Sequence, residues 1–378
     1  MNWIASGLIF TTALLGLNAY AKEEVTPTDW KTECVGRYQI SVPGDVEVAT
    51  QSKRYFLKGG IRPSGVTFNN GDSASRSDFF ALGSIEVSPV LEASEYAKYK
   101  SEELNFKNPQ MKLVTTRHPT GEGFNRDWTR GISATLFEAG RIYKMKAPMA
   151  DEDPLPYRTN VKAARDAFIK NLATRKTFEL PSPTDICFPF GYIKGDGKEF
   201  RMIGVAMRLL DHPDVEIFFK DMEARNQEDS VASQFRGSRG QVEFFWSYYG
   251  PTLGNKLDGV LDHYRSIKLG GYTGQYAFAT IARPVPGNDG DEEREESDSE
   301  RKARIKKDIA DGNVPLDYGF MAYYQGDETK VKTNEPNLML YVIRTASRAV
   351  AAGKQPVTEA ELKAMAFQIA ASIKRRTD

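Results

Sequence analysis

Cys34-Val-Gly-Arg-Tyr-Gln-Ile40 and Cys187-Phe-Pro-Phe-Gly-Tyr-Ile193 are the two stretches on which the reading of this chain turns. In both, a cysteine stands six residues ahead of an isoleucine, with an aromatic between. Each opens a strand-like segment, the first after a polar leader and the second after Pro181-Ser-Pro183.

Outward from these openings, the two halves run through a similar order of elements. Ala93 to Leu104 carries Tyr96, Tyr99 and Leu104 at near-helical spacing. Leu257 to Ile267 shows a stripe of Leu257, Val260, Leu261, Tyr264 and Ile267, which predicts a second helix. Strand-like runs follow: Thr135 to Phe137 and Arg141 to Met145 in the first half, Tyr276 to Ile281, Gly319 to Tyr324 and Leu338 to Ile343 in the second. Each half closes on a helix and a basic tail. Val161, Ala164, Phe168 and Leu172 line the first helix, which ends in Arg175-Lys176. The second starts at a capping box, Thr358-x-x-Glu361, carries Leu362, Met365, Ala366, Ile369 and Ile373, and ends in Lys374-Arg-Arg376. Cations in a last turn suit the helix dipole, which gives these tails a local explanation. The pattern predicts an α+β protein of two related α+β domains, each a largely antiparallel sheet with packed helices. Residues 22–184 form one and 185–378 the other, with the boundary at Leu180 to Thr184. Two unrelated α+β domains remain the alternative.

Length and composition agree with this plan. The 378 residues suffice for two ordinary domains. Lys+Arg and Asp+Glu both total 51, so the chain lacks the basic surplus of a dedicated nucleic-acid binder. With 40% hydrophobic residues, 21 Phe, 17 Tyr and 4 Trp, it has ample apolar surface to bury. A mean hydropathy of −0.49 excludes a polytopic membrane protein.

The one long apolar run, Trp3 to Leu17, lies at the N-terminus without a charged side chain, and Ala19-x-Ala21 follows as a small-x-small processing site. Residues 1–21 therefore read as a cleaved signal peptide, with no stable membrane insertion after cleavage. An uncleaved anchor is the alternative. Export places Cys34 and Cys187 in an oxidising compartment, where an even pair suggests one disulfide; two buried free thiols are the other reading. Neither sits in a C-x-x-C.

The search for chemistry yields little. The nearest approach to a nucleophile elbow is Arg236-Gly-Ser-Arg-Gly240, with Arg where the first glycine belongs. Of three histidines, His118 and His212 precede proline, and His263 lies within the predicted Leu257–Ile267 helix beside Asp262. No H-x-x-x-H and no complete dinucleotide loop occurs. No catalytic residue, metal ligand or cofactor is assigned. A carboxylate pair of the glycosidase kind stays open, as it does for any chain with 51 acids.

The most unusual stretch runs from Asn288 to Lys307. Eight acids and one base lie between Asp289 and Glu300, and five bases follow at once. Ser297-x-x-Glu300 is a capping box for a short surface helix. Asp291, Glu292, Glu293, Glu295 and Glu296 are candidates for an acidic arm that steers a basic partner; a solvated insertion is the plainer reading.

With the signal peptide, Glu33-Cys-Val-Gly-Arg-Tyr-Gln-Ile-Ser-Val-Pro43 and Ile186-Cys-Phe-Pro-Phe-Gly-Tyr-Ile193 resemble the bacterial type VI secretion lipase-immunity family, in particular the immunity proteins paired with the fourth class of type VI lipase effectors. The resemblance runs from about Trp30 to the C-terminus. It implies a periplasmic, non-enzymatic inhibitor that grips a phospholipase or lipase toxin between two domains and blocks opening of the lid over its active site. The acidic arm has no counterpart in the family pattern. An exported carboxylate-based hydrolase and a periplasmic ligand-binding module are the alternatives.

Overall fold

The structure, a computed structural model, describes residues 29–51, 66–69, 74, 85–95, 131–148, 155–195, 202–223, 236–249, 255–256, 264–282, 316–327 and 335–376, with isolated positions between 297 and 311. The expected signal peptide, most of the Ala93–Leu104 segment and the acidic residues Asp291, Glu292, Glu293, Glu295 and Glu296 lie outside the described residues.

The first half contributes β1 (Trp30–Val35), β2 (Tyr38–Pro43), β3 (Val46–Val48), β4 (Thr50–Gln51), β5 (Val66–Thr67), β6 (Ile85–Val87), β7 (Gly131–Glu138), β8 (Arg141–Pro148), α1 (Leu155–Asn171) and β9 (Leu172–Thr174). Then come β10 (Ile186–Phe188), β11 (Gly191–Ile193), β12 (Met202–Leu209), β13 (Val215–Glu223), α2 (Gly237–Phe244) with a π-helical turn to Tyr249, and β14 (Asn255–Lys256). The chain continues through β15 (Arg265–Leu269), β16 (Tyr272–Ala282), β17 (Leu316–Tyr324), β18 (Pro336–Arg344), α3 (Ala346–Ala351), α4 (Glu359–Ser372) and β19 (Lys374–Arg375). Among the described residues every strand pairing is antiparallel, and the protein is α+β.

The largest sheet has eight strands in the order β14-β16-β17-β18-β13-β12-β3, with β15 also on β16. Its centre is β18, whose Leu338-Met-Leu-Tyr-Val-Ile343 run is buried throughout. An unbroken apolar run is what a strand covered on both faces needs. Alternation then sends successive side chains into two cores. Leu340 and Val342 join Ile217, Phe219, Leu362 and Ile369 on one face. Tyr341 and Ile343 join Phe218, Phe245 and Trp246 on the other. The first core continues through Tyr38, Ile186, Phe188, Phe168 and Tyr143, so it takes residues from both halves of the sequence.

Helix α4 begins as its sequence predicts. The Thr358 side chain accepts from the Glu361 N–H, and Glu361 accepts in return from the Thr358 N–H at 2.8 Å. Two expectations need correction. Arg265 to Ile267 lies in strand β15 rather than in a helix, because its alternation is satisfied by pairing with β16; the preceding residues 257–263 lie outside the described residues. The basic tails after α1 and α4 are not last-turn helical cations either. The chain leaves each helix into a short strand, β9 and β19, and the arginine after each strand turns inward.

Candidate functional site

The two cysteine motifs form two hairpins of the same design. Cys34 faces Gln39 across β1–β2, and Cys187 faces Tyr192 across β10–β11. Two residues make each turn. Gly36 takes φ +57°, where glycine has no penalty, and a Cβ there would collide with the Asp221 carboxylate. In the second turn Pro189 precedes Phe190, which holds φ 59° with a full side chain.

Each hairpin is completed by a third strand from the other half of the chain. β19, at the far end of the second half, pairs with β2 (Lys374 with Gln39, Arg375 with Tyr38). β9, at the end of the first half, pairs with β11 (Ala173 with Tyr192, Thr174 with Gly191). The exchange is reciprocal and in matching register. The hairpins also touch directly. Gly36 and Cys187 exchange both backbone hydrogen bonds, at 2.7 and 2.9 Å, and Cys34 and Cys187 form a disulfide with their Cα atoms 5.7 Å apart.

The arginines after β9 and β19 lock this junction. Arg175 is 7% exposed and Arg376 is 8% exposed. Arg175 donates to the carboxylate of Glu33 and to the carbonyls of Cys34 (3.0 Å), Phe188 (3.3 Å) and Gly191 (3.3 Å). Glu33, 1% exposed, also accepts from the N–H groups of Cys34 (2.9 Å) and Phe178 (2.7 Å). A buried charge needs this density of partners. Arg376 donates to the carbonyls of Pro181 (3.2 Å), Ser182 (2.9 Å), Gly36 (3.3 Å) and Asp185. Burial pulls its pKa down to about 10, with nearby Arg175 acting in the same direction; the carboxylates of Asp185 and Asp221 oppose the shift.

Beside the junction lies an open cleft of about 480 Å³, lined by Arg141, Tyr143, Arg175, Lys176, Glu179 and Phe190 among others. Three turns converge on it, and each carries a non-glycine residue at positive φ: Ala139 (48°), Phe178 (66°) and Phe190 (59°). Such backbone persists only where the surroundings over-determine it. At Phe190 they do. Its carbonyl accepts from the Arg175 N–H (3.1 Å) and the Tyr143 hydroxyl (3.0 Å), and the Arg141 guanidinium lies 3.8 Å from its ring centroid. Arg141 also donates to the Ser88 carbonyl at 2.8 Å, and burial lowers its pKa, partly offset by Tyr143. Among the described residues no group of acids, histidines and cysteines is arranged to hold a metal ion.

Of the residues singled out in the sequence, the structure joins Cys34 and Cys187. The five acidic-arm candidates, Asp291 to Glu296, lie outside the described residues. Sequence reasoning missed Arg175 and Arg376 as junction residues, although both had been noted as basic tails. The usable signal was their equivalent position just past each closing helix. Glu33 and Phe190 lie within the two cysteine motifs, where the sequence assigns them no role, and nothing in the spacing of Arg141 marks it.

No family model matches the chain, and no curated protein matches it. Among solved structures, the chain is similar to the immunity protein TplEi of the type VI secretion system from Pseudomonas aeruginosa complexed with "L" peptide, at 17% identity and a TM-score of 0.45, covering 92% of this chain and 99% of that one. The apo structure of TplEi gives 18% identity and a TM-score of 0.42 over 92% and 98%. The Tle4-Tli4 complex gives 19% identity and a TM-score of 0.43, again over 92% of this chain and 98% of that one.

Proposed function

We propose that this protein is a periplasmic immunity protein that binds a type VI secretion lipase or phospholipase toxin and silences it by occupying the approach to its active site. The observation that carries the reading is the junction itself. The residues on which the family resemblance rests, Glu33 to Ile40 and Ile186 to Ile193, are the residues that build the linked hairpins, the disulfide and the Glu33–Arg175 pair. The resemblance therefore falls on the part of the chain that sets its architecture.

The disulfide supports an exported protein, because such bonds persist in oxidising compartments. In this reading residues 1–21 are removed on export, and 22–184 and 185–378 act as two related units around the toxin. Inhibition needs complementary surface and no reactive group, and self-protection demands tight binding. The acidic segment from Asp291 to Glu296 is proposed to speed association with a basic partner.

The reading expects a lipase with a G-x-S-x-G motif to be encoded next to this protein, and the test is whether this protein inhibits that lipase. Hydrolysis of a fluorogenic phospholipid should fall in proportion to added protein, reach zero near one equivalent, and return when the complex is separated under denaturing conditions and the lipase refolded. Lipid hydrolysis by the isolated protein, or a lipase left permanently inactive, would reject occlusion.

A further inference from the structure

The cleft beside the junction holds two cations, Arg141 and Lys176, with no paired acid among the described residues. Among the described residues, no carboxylate pairs with the side chain of Arg141 or of Lys176. Arg175, the third cation on the wall, is satisfied by Glu33. Glu179 stands at the rim, where its carboxylate accepts from the backbone N–H of Lys176 at 2.8 Å. Arg141 lies over the Phe190 ring and one guanidinium nitrogen donates to the Ser88 carbonyl, so its planar fork is held at two points before anything arrives.

We infer that this cleft is a socket for one carboxylate of the partner protein, an aspartate or glutamate side chain that pairs with Arg141 and Lys176 while its stem packs along Phe190 and Tyr143. The inference rests on the lipase-binding reading above and names the chemistry that the lipase must present. A planar carboxylate matches the guanidinium edge in a bidentate fashion. A partly desolvated, immobilised arginine loses little freedom on pairing, and water exclusion strengthens the contact. The surface does not fit a membrane. Anionic lipid recognition draws on clusters of about four to eight basic residues, and here two cations stand next to an acid.

The test compares Arg141→Gln, Lys176→Gln and, as a control of equal charge change, Arg265→Gln on the exposed end of β15. Affinity for the adjacent-gene lipase is measured at low and moderate salt, alongside binding to vesicles containing phosphatidylglycerol. Arg141→Gln and Lys176→Gln should each weaken lipase binding by about tenfold or more, mainly through faster dissociation for Arg141, while Arg265→Gln changes it less than about twofold. Lys176 is exposed, so that variant keeps the test alive if Arg141→Gln misfolds. Unchanged lipase affinity in the cleft variants overturns the inference while leaving the lipase reading intact. Loss of vesicle binding with lipase binding preserved overturns it in favour of a lipid site. A wild-type protein that ignores the lipase removes the functional reading, and the socket with it.

Discussion

Arg175 and Arg376 hold matching stations in a reciprocal exchange: the backbone N–H of Arg175 donates to the carbonyl of Phe190 at 3.1 Å, and that of Arg376 to the carbonyl of Arg37 at 2.9 Å. Each follows a strand that completes a hairpin belonging to the other half, and each sends its guanidinium into the same buried junction. The two halves are therefore joined by backbone pairing, by a disulfide and by two arginine knots.

Arg376→Ala removes a buried donor set shared by four carbonyls. The carbonyls lose their partners, and the expected loss of stability is about 2–4 kcal/mol. Arg375→Ala, one residue earlier and exposed, should cost no more than about 0.5 kcal/mol. Urea denaturation of the two variants decides it; equal effects would mean that Arg376 acts only through its backbone.

Glu33→Ala leaves the Arg175 guanidinium buried without its carboxylate. Breaking one side of a buried pair costs about 3–5 kcal/mol. Replacing both, in Glu33→Ala with Arg175→Met, removes the uncompensated charge. The double variant should therefore be more stable than the sum of the single effects predicts, by about 1 kcal/mol or more. Strict additivity in a double-mutant cycle would show that the pair is uncoupled.

The disulfide closes a loop between residues 153 positions apart. In the chain-entropy account a loop of that size contributes about 4–5 kcal/mol by restricting the unfolded chain. Cys34→Ser with Cys187→Ser should lower the denaturation midpoint accordingly. Thiol titration of the wild-type protein, unfolded without reductant, should find no free thiol.

Lys220 gives a pH signature. It lies on the Phe218 face of β13, and burial lowers its pKa from 10.5 to about 7. Between about pH 7 and 10.5 the unfolded chain carries a proton that the folded protein lacks, so this residue makes stability rise with pH across that window. Below about pH 7 its cost is constant and complete. Glu86, raised to about 8 chiefly by burial against the pull of Lys144, acts in the opposite sense between about pH 4.5 and 8. The difference between wild type and Lys220→Met isolates the lysine. The variant should gain a few kcal/mol at pH 6, on the order expected for burying an ammonium, and the gain should shrink toward pH 10. A difference that stays constant with pH would place the Lys220 pKa near its ordinary value.

Much of the framework was legible from local patterns. The run Leu338 to Ile343 marked a strand, which the structure buries on both faces, and Thr358 with Glu361 marked the start of α4, because each signal depends on a few neighbouring residues. The stripe from Leu257 to Ile267 misled at its end: Ile267 falls on a helical spacing, but Arg265 to Leu269 gains a full ladder on β16, and no periodicity reveals a partner strand. The repeated cysteine motif pointed to two related openings. It could not disclose that the tail of each half completes the hairpin of the other: β19 reaches β2 from the opposite end of the chain, and β9 pairs with β11 across the proline-rich stretch that reads as a boundary. Distance did hide the buried carboxylate of Arg175, which lies 142 residues earlier at Glu33, and the reach of Arg376 to Gly36, 340 residues back, while the local setting of both arginines gave them an adequate role at a helix end. Arg141 was invisible for another reason: its significance comes from the contact with the Phe190 ring, beyond α1, β9 and β10, and not from its neighbours in β8.

The exchange has a consequence for biogenesis. Ser41, on β2, receives its contact from Ser372, 331 residues further along, and β19 follows immediately after. A ribosome adding roughly 5–20 residues per second needs about 20–60 s to travel that distance. Throughout that interval the β1–β2 hairpin lacks its third strand and Arg376 has not been made. A nascent chain kept open in this way stays threadable, and a translocation channel that accepts only unfolded polypeptide can engage it before the ring of contacts closes.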